Sequence, residues 1–445
     1  MRIALFVHCF FPIHFYGTET YTLELARHYR DAGYDITVVS AIFQGEQATG
    51  SALLFRYEYQ GIPVVTINKN LIPHSRVKET YYQQEMRDVF ARLLDELRPD
   101  VVHVTHLINH TAVLLDVLKQ RNIATYVTFT DFFGFCLNNK LEGADGRLCH
   151  GPSASRSNCV ACHLKAVAAS PGAGWLRHAQ GAGRAQAMAV ALGALSRLSI
   201  PRQGPLHGLV DDIVQRPDIL AGLFNGVYRT AVAPTRYLAS AYQRNGIRVP
   251  LRIIHFGVDV DRRPKPQRTS QHVPVIGFIG QVAPHKGTDL LIAAFNRLPK
   301  GAARLRIYGQ TDQDPRYMKQ LDAMAQHGAT EFAGTFPQEN MADVLAEIDL
   351  LVIPSRWYEN SPLVLLNALA THTPVLMADV AGMTEFLEPG VNGLAFERDS
   401  AEDLYQRLCD CVLKPEGLYA MAHTTHYERT SAMMANETLA LYGNV

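Results

Sequence analysis

The sequence has no excess of charge of either sign, because 42 lysine and arginine residues are balanced by 42 aspartate and glutamate residues. A protein that binds nucleic acid through its overall field needs a positive excess. No nucleic-acid partner is therefore expected. Charged residues make up 19% of the chain and hydrophobic residues 47%, which excludes a disordered chain and favours a packed globular protein.

Long apolar runs are also missing. No stretch approaches the roughly 18 uninterrupted apolar residues that a membrane-spanning helix requires, and the apolar segment 185–195 is too short to cross a bilayer. The apolar start, residues 1–13, lacks a basic n-region and a small-residue cleavage site, and it alternates like a buried strand. These features predict a cytoplasmic protein.

Cysteine is scarce, and the seven residues are an odd number with irregular spacing. This usage fits a reducing compartment better than a disulfide framework. The cysteines that cluster in one segment are Cys136, Cys149, Cys159 and Cys162. The last two form a CxxC pair, which has the bite that zinc requires. Two interpretations stay open, a structural zinc site or reduced thiols of the core.

Two common phosphate-binding signatures are absent. No GxGxxG motif follows the first apolar strand, which weakens the case for a nicotinamide-dependent dehydrogenase. The loop GFIGQVAPHKGT at 277–288 is not a Walker A loop, because no glycine directly precedes Lys286. Thr288 is predicted to cap the helix that follows this loop. A lysine beside a helix N-terminus could nevertheless stabilise a leaving phosphate, without the metal that other phosphate chemistry uses.

Strands and helices alternate along both halves of the chain, which predicts two doubly wound parallel sheets. The predicted domains are an N-terminal one over 1–250, with a Cys-rich and basic insertion at about 134–225, and a C-terminal one over 251–425. A C-terminal helix over 426–445 is expected to pack back toward the N-terminal domain. Open parallel sheets bind ligands outside the carboxyl ends of their strands, so the chemistry is expected in those loops, in an interdomain cleft.

The segment 353–379, IPSRWYENSPLVLLNALATHTPVLMAD, carries the strongest signal. Ser361 is predicted to cap a helix and Pro362 to occupy its first position, so that the free N–H groups form an anion site suited to a nucleotide diphosphate. Asn367 is the polar residue of an apolar run, and it needs a partner if it is buried. A ligand hydroxyl or a neighbouring loop could supply that partner.

Several segments of both halves resemble glycosyltransferase family four, which includes many bacterial cell-surface polysaccharide transferases. The matching segments are FYGTET at 15–20, VVHVTHL at 101–107, FTDFFGFC at 129–136, GQVAPHKG at 280–287, FAGTF at 332–336, and the run that begins WYENSPLVLLNALA at 357. The resemblance implies a GT-B fold, that is, two Rossmann-like α/β domains, a nucleoside-diphosphate sugar as co-substrate, and transfer with retained anomeric configuration.

The resemblance also implies roles for individual residues. Glu359 corresponds to a glutamate that contacts the hydroxyls of the donor sugar, and Lys286 to a lysine that grips the diphosphate. The other residues that it assigns to the donor are Gly17, Thr18, Gln281, Gly309, Asn360, Ser361, Pro362, Leu363 and Asn367. Catalysis is assigned to Glu359, Lys286 and Asp131, and the acceptor side to His106 and Thr130.

The sequence departs from the family pattern at three positions. Asn367 replaces a second glutamate that meets the ribose, and its amide can still bond a hydroxyl. Thr130 precedes Asp131 where many relatives have histidine, a residue near the donor sugar. Gln281 replaces a phosphate-binding arginine, which leaves Lys286 to neutralise the charge. These departures leave open whether the protein is fully active.

The sequence therefore predicts a retaining glycosyltransferase with no obligatory metal and with a glycan or lipid-linked acceptor. A catalytically silent sugar-nucleotide-binding subunit and a GT-B sugar-nucleotide epimerase are the alternatives. The segment from Arg147 to Arg202 holds seven lysine or arginine residues and no acidic residue. It predicts peripheral contact, through Trp175 or Leu176, with the anionic inner face of the membrane; a solvated helix pair is the other interpretation.

Overall fold

The computed structural model describes residues 1–43, 52–169, 205–269, 271–325 and 328–443. Internal contacts divide it into two compact units. The first unit consists of Met1–His255 together with the chain from Ala435 onward, and the second unit is Phe256–Met434. The structure thus divides the chain at 255/256, where the sequence analysis placed the division at 250/251.

The first unit contains an eight-stranded sheet in the order β3-β4-β2-β1-β5-β6-β7-β8. Its strands are β1 (Arg2–Phe6), β2 (Asp35–Ile42), β3 (Leu54–Tyr59), β4 (Ile62–Asn68), β5 (Val101–Val104), β6 (Ala124–Thr128), β7 (Thr230–Ala233) and β8 (Leu251–Ile253). All neighbouring pairs are parallel except β3 and β4, which form a hairpin. The central strands β1, β5 and β6 are buried almost throughout, as expected for a parallel sheet covered on both faces.

Six described helices belong to the first unit before residue 255. They are α1 (Gly17–Asp31), α2 (Arg87–Leu97), α3 (Val113–Gln120), α4 (Ser157–Ala169), α5 (Pro205–Val227) and α6 (Arg236–Arg244). In the predicted insertion at 134–225, the described residues form α4, α5 and one isolated antiparallel bridge between Glu142 and Leu148.

The second unit contains a six-stranded, all-parallel sheet in the order β11-β10-β9-β12-β13-β14. Its strands are β9 (Val275–Ile279), β10 (Arg304–Tyr308), β11 (Thr330–Gly334), β12 (Leu350–Ile353), β13 (Val375–Ala378) and β14 (Gly393–Phe396). The later helices of the chain are α7 (Thr288–Phe295), α8 (Pro315–Met324), α9 (Met341–Glu347), α10 (Leu363–Ala370), α11 (Ala401–Val412), α12 (Glu416–Thr424) and α13 (Ser431–Ala440).

Each sheet has a switch point, where two adjacent strands are followed by connections that run in opposite directions across the sheet. In the first unit the switch lies between β1 and β5, and in the second it lies between β9 and β12. The loops that leave the carboxyl ends of such strands splay apart and open a crevice. The strand order therefore selects the loops after these four strands as the places for ligands.

No helix among the described residues is long and apolar enough to span a membrane.

A tyrosine near the end of the chain completes the core of the first unit. Tyr442 is 1% exposed, its ring packs on those of Tyr29 and Tyr126, and its hydroxyl forms a hydrogen bond with Nδ1 of His103. His103 is itself held through Nε2 by the hydroxyl of Thr128 at 2.8 Å. A large ring and a buried polar network thus depend on one side chain.

We expect Tyr442→Ala to lower the free energy of unfolding of the first unit by about 3–5 kcal/mol, the usual cost of deleting a buried ring. Tyr442→Phe should cost only about 1–3 kcal/mol, because it removes the hydroxyl and keeps the ring. Urea unfolding measures both. Leu71→Ala is the control, since Leu71 is 49% exposed. Equal stability of wild type and Tyr442→Ala would contradict this description of the core.

Candidate active site

The two loops at the switch point of the second sheet carry Lys286 and Glu359. Lys286 ends a short 3₁₀ turn, Pro284–Lys286, after β9, and Glu359 lies in the loop after β12. Nζ of Lys286 donates to Oε1 of Glu359 at 2.6 Å. The side chains are only 23% and 10% exposed, respectively. The structure therefore brings two sequence-predicted residues together as an ion pair that is largely removed from water.

Two further donors converge on the same carboxylate oxygen. The hydroxyl of Ser355 donates to Oε1 of Glu359 at 2.6 Å, and Nε1 of Trp357 donates to it at 3.0 Å. Burial alone raises the pKa of Glu359, but the Lys286 ammonium and these hydrogen bonds outweigh burial, so that the pKa is lowered. The carboxylate is held ionised and in one orientation.

The loops that carry the ion pair are fixed to each other by a second set of contacts. The guanidinium of Arg356 makes a two-pronged ion pair with Asp289, at 2.7 and 2.9 Å, and also donates to the carbonyl of Pro284 at 2.7 Å. Gly287 has a φ of 75°, and a Cβ there would stand 2.0 Å from the carbonyl oxygen of Pro354. Only glycine permits this approach.

Two predicted helix caps are wrong. Helix α10 begins at Leu363 with Pro362 as its N-cap residue, and Ser361 has a φ of 64°. A capping serine is extended, so this left-handed backbone turns Ser361 away from the cap position. In α7 the N-cap residue is Gly287, and Thr288 is already helical. Within the described parts of the chain, the buried hydroxyls of Ser361 and Thr288 have no hydrogen-bond partner.

The N-terminus of α10 still presents its first backbone N–H groups, which no carbonyl of the same helix can satisfy. It lies directly after Glu359, Asn360 and Ser361, and the Ser361 hydroxyl is a further buried polar atom in need of a partner. N–H groups of this kind, together with the helix dipole, favour an anion. Glu359, in the loop before α10, holds the ammonium group of Lys286 by a direct hydrogen bond.

Three further donor-side predictions, Gln281, Gly309 and Asn367, lie in the second unit. Gln281 is exposed and donates to Gln313 at 2.9 Å. Gly309 follows β10, and a Cβ there would stand 2.1 Å from the carbonyl oxygen of Gly280, so it allows two loops to approach closely. Asn367 is half-buried on α10, and no side-chain hydrogen bond is found for it within the described part of the chain.

The first unit holds a histidine–aspartate pair at the switch point of its own sheet. His106 follows β5, and its Nε2 lies 2.9 Å from Oδ2 of Asp131. The backbone N–H of Ile108 donates to Nδ1 of His106 at 3.1 Å, so that the proton of a neutral ring belongs on Nε2. Burial lowers the pKa of His106, but the Asp131 carboxylate outweighs it, and the pKa is raised. Thr130 donates to the carbonyl of Thr105 at 3.3 Å.

A group that sequence reasoning missed lies beside this pair. Glu19, in the first turn of α1, is 1% exposed and accepts from the thiol of Cys9 at 2.8 Å, and Nε2 of His8 lies 3.2 Å from the same oxygen. The rings of His8 and His106 are 4.4 Å apart. Burial lowers the pKa of His8 well below its usual value. Oε2 of Glu19 and Nδ1 of His8 are buried and have no hydrogen-bond partner among the residues that the structure describes.

The sequence contains a signal for this group, but the signal does not distinguish a buried contact from an ordinary helix N-terminus. Glu19 belongs to the segment FYGTET, where an acidic residue in a first helical turn ordinarily complements the helix dipole. The predicted Gly17 and Thr18 open the same helix, and neither is buried. Only the position of α1 beside β1 shows that the Glu19 carboxylate faces His8.

Family models match most of the chain. Residues 16–193 match a glycosyl transferase 4-like domain, and residues 273–413 match the glycosyl transferases of group 1. The chain belongs to the family-four-like glycosyltransferases of GT-B fold. The two models fall in different units, and the second includes both Lys286 and Glu359.

Curated relatives match this chain over part of their length. It is 31% identical over 170 residues to the D-inositol 3-phosphate glycosyltransferase of Nocardia farcinica, which covers 35% of this chain and 37% of that protein. It is 26% identical over 168 residues to the alpha-maltose-1-phosphate synthase of Mycolicibacterium smegmatis, covering 36% and 40%, respectively. The matched region thus spans about two fifths of these relatives.

Solved structures match all of this chain. Sucrose-phosphate synthase from Thermosynechococcus elongatus has a TM-score of 0.63 at 14% identity and covers 100% of this chain and 98% of that one. The Anabaena protein HepE in complex with UDP-glucose has a TM-score of 0.64 at 14% identity and covers 100% of both chains. At such low identity the likeness establishes the GT-B fold alone.

Two predictions concern the insertion at about 134–225. Cys136, Cys149, Cys159 and Cys162 all lie in the first unit and are free thiols, and no three of their sulfurs lie within 4.8 Å of one another. The predicted membrane contacts Trp175 and Leu176, with most of the basic charge, lie outside the described residues, so the membrane prediction stays a prediction.

We expect Gly287→Ala to weaken the binding of nucleoside diphosphates by at least about tenfold, since a loop displacement costing about 1.4 kcal/mol has that effect. The matched control is Gly301→Ala. Gly301 also has a positive φ, 81°, but a Cβ there would meet nothing within 4 Å. Both variants should lose about 1–2 kcal/mol of stability from the left-handed backbone.

Isothermal titration with UDP, GDP and ADP, together with urea unfolding, measures the two effects separately. Only Gly287→Ala should lose affinity, since only there must the Lys286 loop move away from the Glu359 loop. Equal affinities of the two variants would contradict the proposed role of this contact.

Proposed function

We propose that the protein is a retaining glycosyltransferase, which moves a sugar from a nucleoside-diphosphate sugar to a glycan or lipid-linked acceptor. The observation that carries the proposal is the buried Lys286–Glu359 pair beside the N-terminus of α10. It offers a cation and free N–H groups for phosphates and a fixed carboxylate for sugar hydroxyls. Anabaena HepE bound to UDP-glucose, which has the same fold, supports this choice of donor.

In the proposed donor complex the diphosphate binds the N–H groups that begin α10 and the ammonium of Lys286. Glu359 accepts hydrogen bonds from hydroxyls of the sugar, and Asn367 offers its amide to the ribose. The bond between the anomeric carbon and the β-phosphate oxygen breaks, and the nucleoside diphosphate leaves with the electron pair. Lys286 and the helix N-terminus stabilise this negative charge, the role that metal ions have in other phosphate chemistry.

The proposed acceptor site lies on the first unit, around His106, Thr130 and Asp131. The acceptor oxygen forms the new bond to the anomeric carbon, and its proton passes to the β-phosphate oxygen of the leaving nucleoside diphosphate. Both ring nitrogens of His106 are already hydrogen-bonded, Nε2 to Asp131 and Nδ1 to the N–H of Ile108, so the acceptor hydroxyl would bind the Asp131 carboxylate that His106 orients. We further propose a cytoplasmic location, with the basic insertion on the inner membrane face, which would favour a lipid-linked acceptor.

Two other functions make different predictions for the same protein. A silent binding subunit would bind nucleotide sugar but would neither transfer the sugar nor hydrolyse the donor when acceptor is absent. A sugar-nucleotide epimerase would return a product inverted at C2. A thermal-shift screen of UDP-, GDP- and ADP-sugars identifies the donor, because a ligand that binds the folded state raises its stability. Product analysis with that donor then separates the three functions.

Changing the two partners of the ion pair should impair different steps, nucleotide binding for Lys286 and sugar transfer for Glu359. Lys286→Ala should weaken nucleoside diphosphate binding by roughly 10- to 100-fold, since a charge-assisted hydrogen bond contributes about 1.5–3 kcal/mol. Glu359→Gln should leave that affinity within about threefold of wild type, or raise it, because Lys286 no longer has to leave its carboxylate partner. It should nevertheless slow sugar transfer by more than about tenfold, since the hydroxyl contacts are lost.

Titration calorimetry with the nucleoside diphosphate and transfer assays with the identified donor measure these effects. Lys300→Ala is the control, because Lys300 is an exposed lysine of the same unit. Parallel losses in both variants, or a loss in neither, would rule out the separate roles of phosphate and sugar binding.

Transfer should continue after brief EDTA treatment, because Lys286 and α10 supply the positive potential for the leaving group. The initial rate is measured with and without chelator, and after Mg²⁺, Mn²⁺ or Zn²⁺ is added back. Loss of activity that is restored by Mg²⁺ or Mn²⁺, but not by Zn²⁺, would show that a metal ion takes part at the diphosphate and would overturn the proposed mechanism.

A further inference from the structure

The segment 132–169, a small lobe of the first unit, carries four of the seven cysteines. Cys136 and Cys149 flank a tight reversal, in which Glu142 and Leu148 form an antiparallel bridge and the N–H of Cys149 donates to the carbonyl of Leu141 at 2.7 Å. Helix α4 follows, and Cys159 and Cys162 lie three residues apart in its first turns. This spacing places both thiols on one face of the helix.

Hydrogen bonds show that the cysteines of the reversal and of the helix belong to one cluster. The thiol of Cys136 donates to Oδ1 of Asn138 at 2.9 Å, and Nδ2 of Asn138 donates to the carbonyl of Glu142 at 2.7 Å. The thiol of Cys162 lies 3.6 Å from that same carbonyl. Cys162 thus meets the Glu142 carbonyl directly, and Cys136 is connected to the same carbonyl through the side chain of Asn138.

The remaining two cysteines are connected through Asn158. Nδ2 of Asn158 lies 3.5 Å from the sulfur of Cys149, and the next residue along α4 is Cys159. The sulfur of Cys149 also accepts from the backbone N–H of Gly151 at 3.4 Å. A backbone N–H aimed at sulfur stabilises a thiolate more than a neutral thiol, and thiolates are the form in which cysteine binds metal ions.

Among the described residues, the fully buried apolar cluster around α4 is small. It consists of Cys159, Val160 and Ala161 of α4 together with Val210 and Ile213 of α5. Small lobes with so small a core ordinarily need a disulfide or a metal ion to hold their loops. All seven cysteines are free thiols in this structure, and a reducing compartment would not provide a disulfide.

We propose that this lobe binds one structural zinc ion through the thiolates of Cys136, Cys149, Cys159 and Cys162. Sulfur ligands in a CxxC pair with a second pair on a hairpin are the chemistry that selects zinc. Four thiolates fill the tetrahedral shell and leave no open position, so the ion is structural. Binding displaces one proton from each thiol, and it must draw the sulfurs, now more widely spaced, to about 2.3 Å from the ion.

The ion would fix the loop that carries Asp131. Oδ1 of Asp131 accepts from the N–H of Phe133 at 2.8 Å, and the carbonyl of Phe133 accepts from the buried guanidinium of Arg216 on α5 at 2.5 Å. Cys136 lies in the same turn, with its N–H donating to the carbonyl of Phe132. Anchoring Cys136 to α4 therefore restrains the turn that positions Asp131 against His106.

Metal analysis by mass spectrometry tests the proposal on the full chain, purified with a thiol reductant and without chelator. We expect about one zinc ion per chain, and loss of at least about nine tenths of it in the Cys159→Ser/Cys162→Ser variant. The matched control is Cys409→Ser/Cys411→Ser, which changes two cysteines of α11 in the other unit and should keep its zinc. Cys9→Ser should also keep it.

Cobalt substitution of the wild-type protein provides a readout that does not depend on how a variant folds. Co²⁺ bound by four thiolates gives intense sulfur-to-metal charge-transfer bands and the visible spectrum of a tetrahedral site. Wild type without zinc, zinc retained by the Cys159/Cys162 variant, zinc lost from Cys9→Ser, or a cobalt spectrum without thiolate bands would each overturn the proposal. None of these outcomes bears on the donor site, which is tested by nucleotide binding.

Discussion

A carboxylate buried at the carboxyl end of a parallel sheet is the constraint around which the second unit is built. The charge of Glu359 can be removed from water only if a cation and hydrogen-bond donors replace the solvent. Lys286, Ser355 and Trp357 do this, and all act on one oxygen. Their convergence requires the loops after β9 and β12 to touch, which the switch point of the sheet and the lack of a side chain at Gly287 allow.

Such an arrangement is poor evidence for stability, since well-packed apolar residues often stabilise a protein as much as a buried ion pair does. The arrangement instead holds the Glu359 carboxylate and the Lys286 ammonium in fixed positions. An arriving diphosphate competes with Glu359 for Lys286, and the sugar hydroxyls that arrive with it can replace the lysine as donors to the carboxylate. Donor binding therefore exchanges one set of charge-assisted bonds for another, and a nucleotide without sugar completes only half of that exchange.

The α/β repeats of the fold could be predicted because each strand is a short apolar run and each helix follows a turn signal, as in β1, α1 and β2. Lys286 and Glu359 were predicted by resemblance, but not their contact, since they are 73 residues apart and only the strand order brings them together. The caps at Ser361 and Thr288 were wrong because local propensity does not record the tight turns that tertiary contacts impose. The His8–Glu19 contact was missed for a similar reason, since a lone histidine and a helical glutamate are common in any sequence.

The same limit applies to the first unit, where the His106–Asp131 pair depends on the meeting of the loops after β5 and β6. Its functional assignment rests on the donor site, since an acceptor site is meaningful only if the second unit binds an activated sugar. The central claim is therefore that the second unit takes its donor at the Lys286–Glu359 pair.

A crystal structure of the protein with its nucleoside-diphosphate sugar tests that claim most directly. We expect a diphosphate oxygen within hydrogen-bond distance of Nζ of Lys286 and of the first N–H groups of α10, with Glu359 accepting from a sugar hydroxyl. A nucleotide sugar bound elsewhere on the chain, with Lys286 still paired to Glu359 and the N-terminus of α10 untouched, would contradict it.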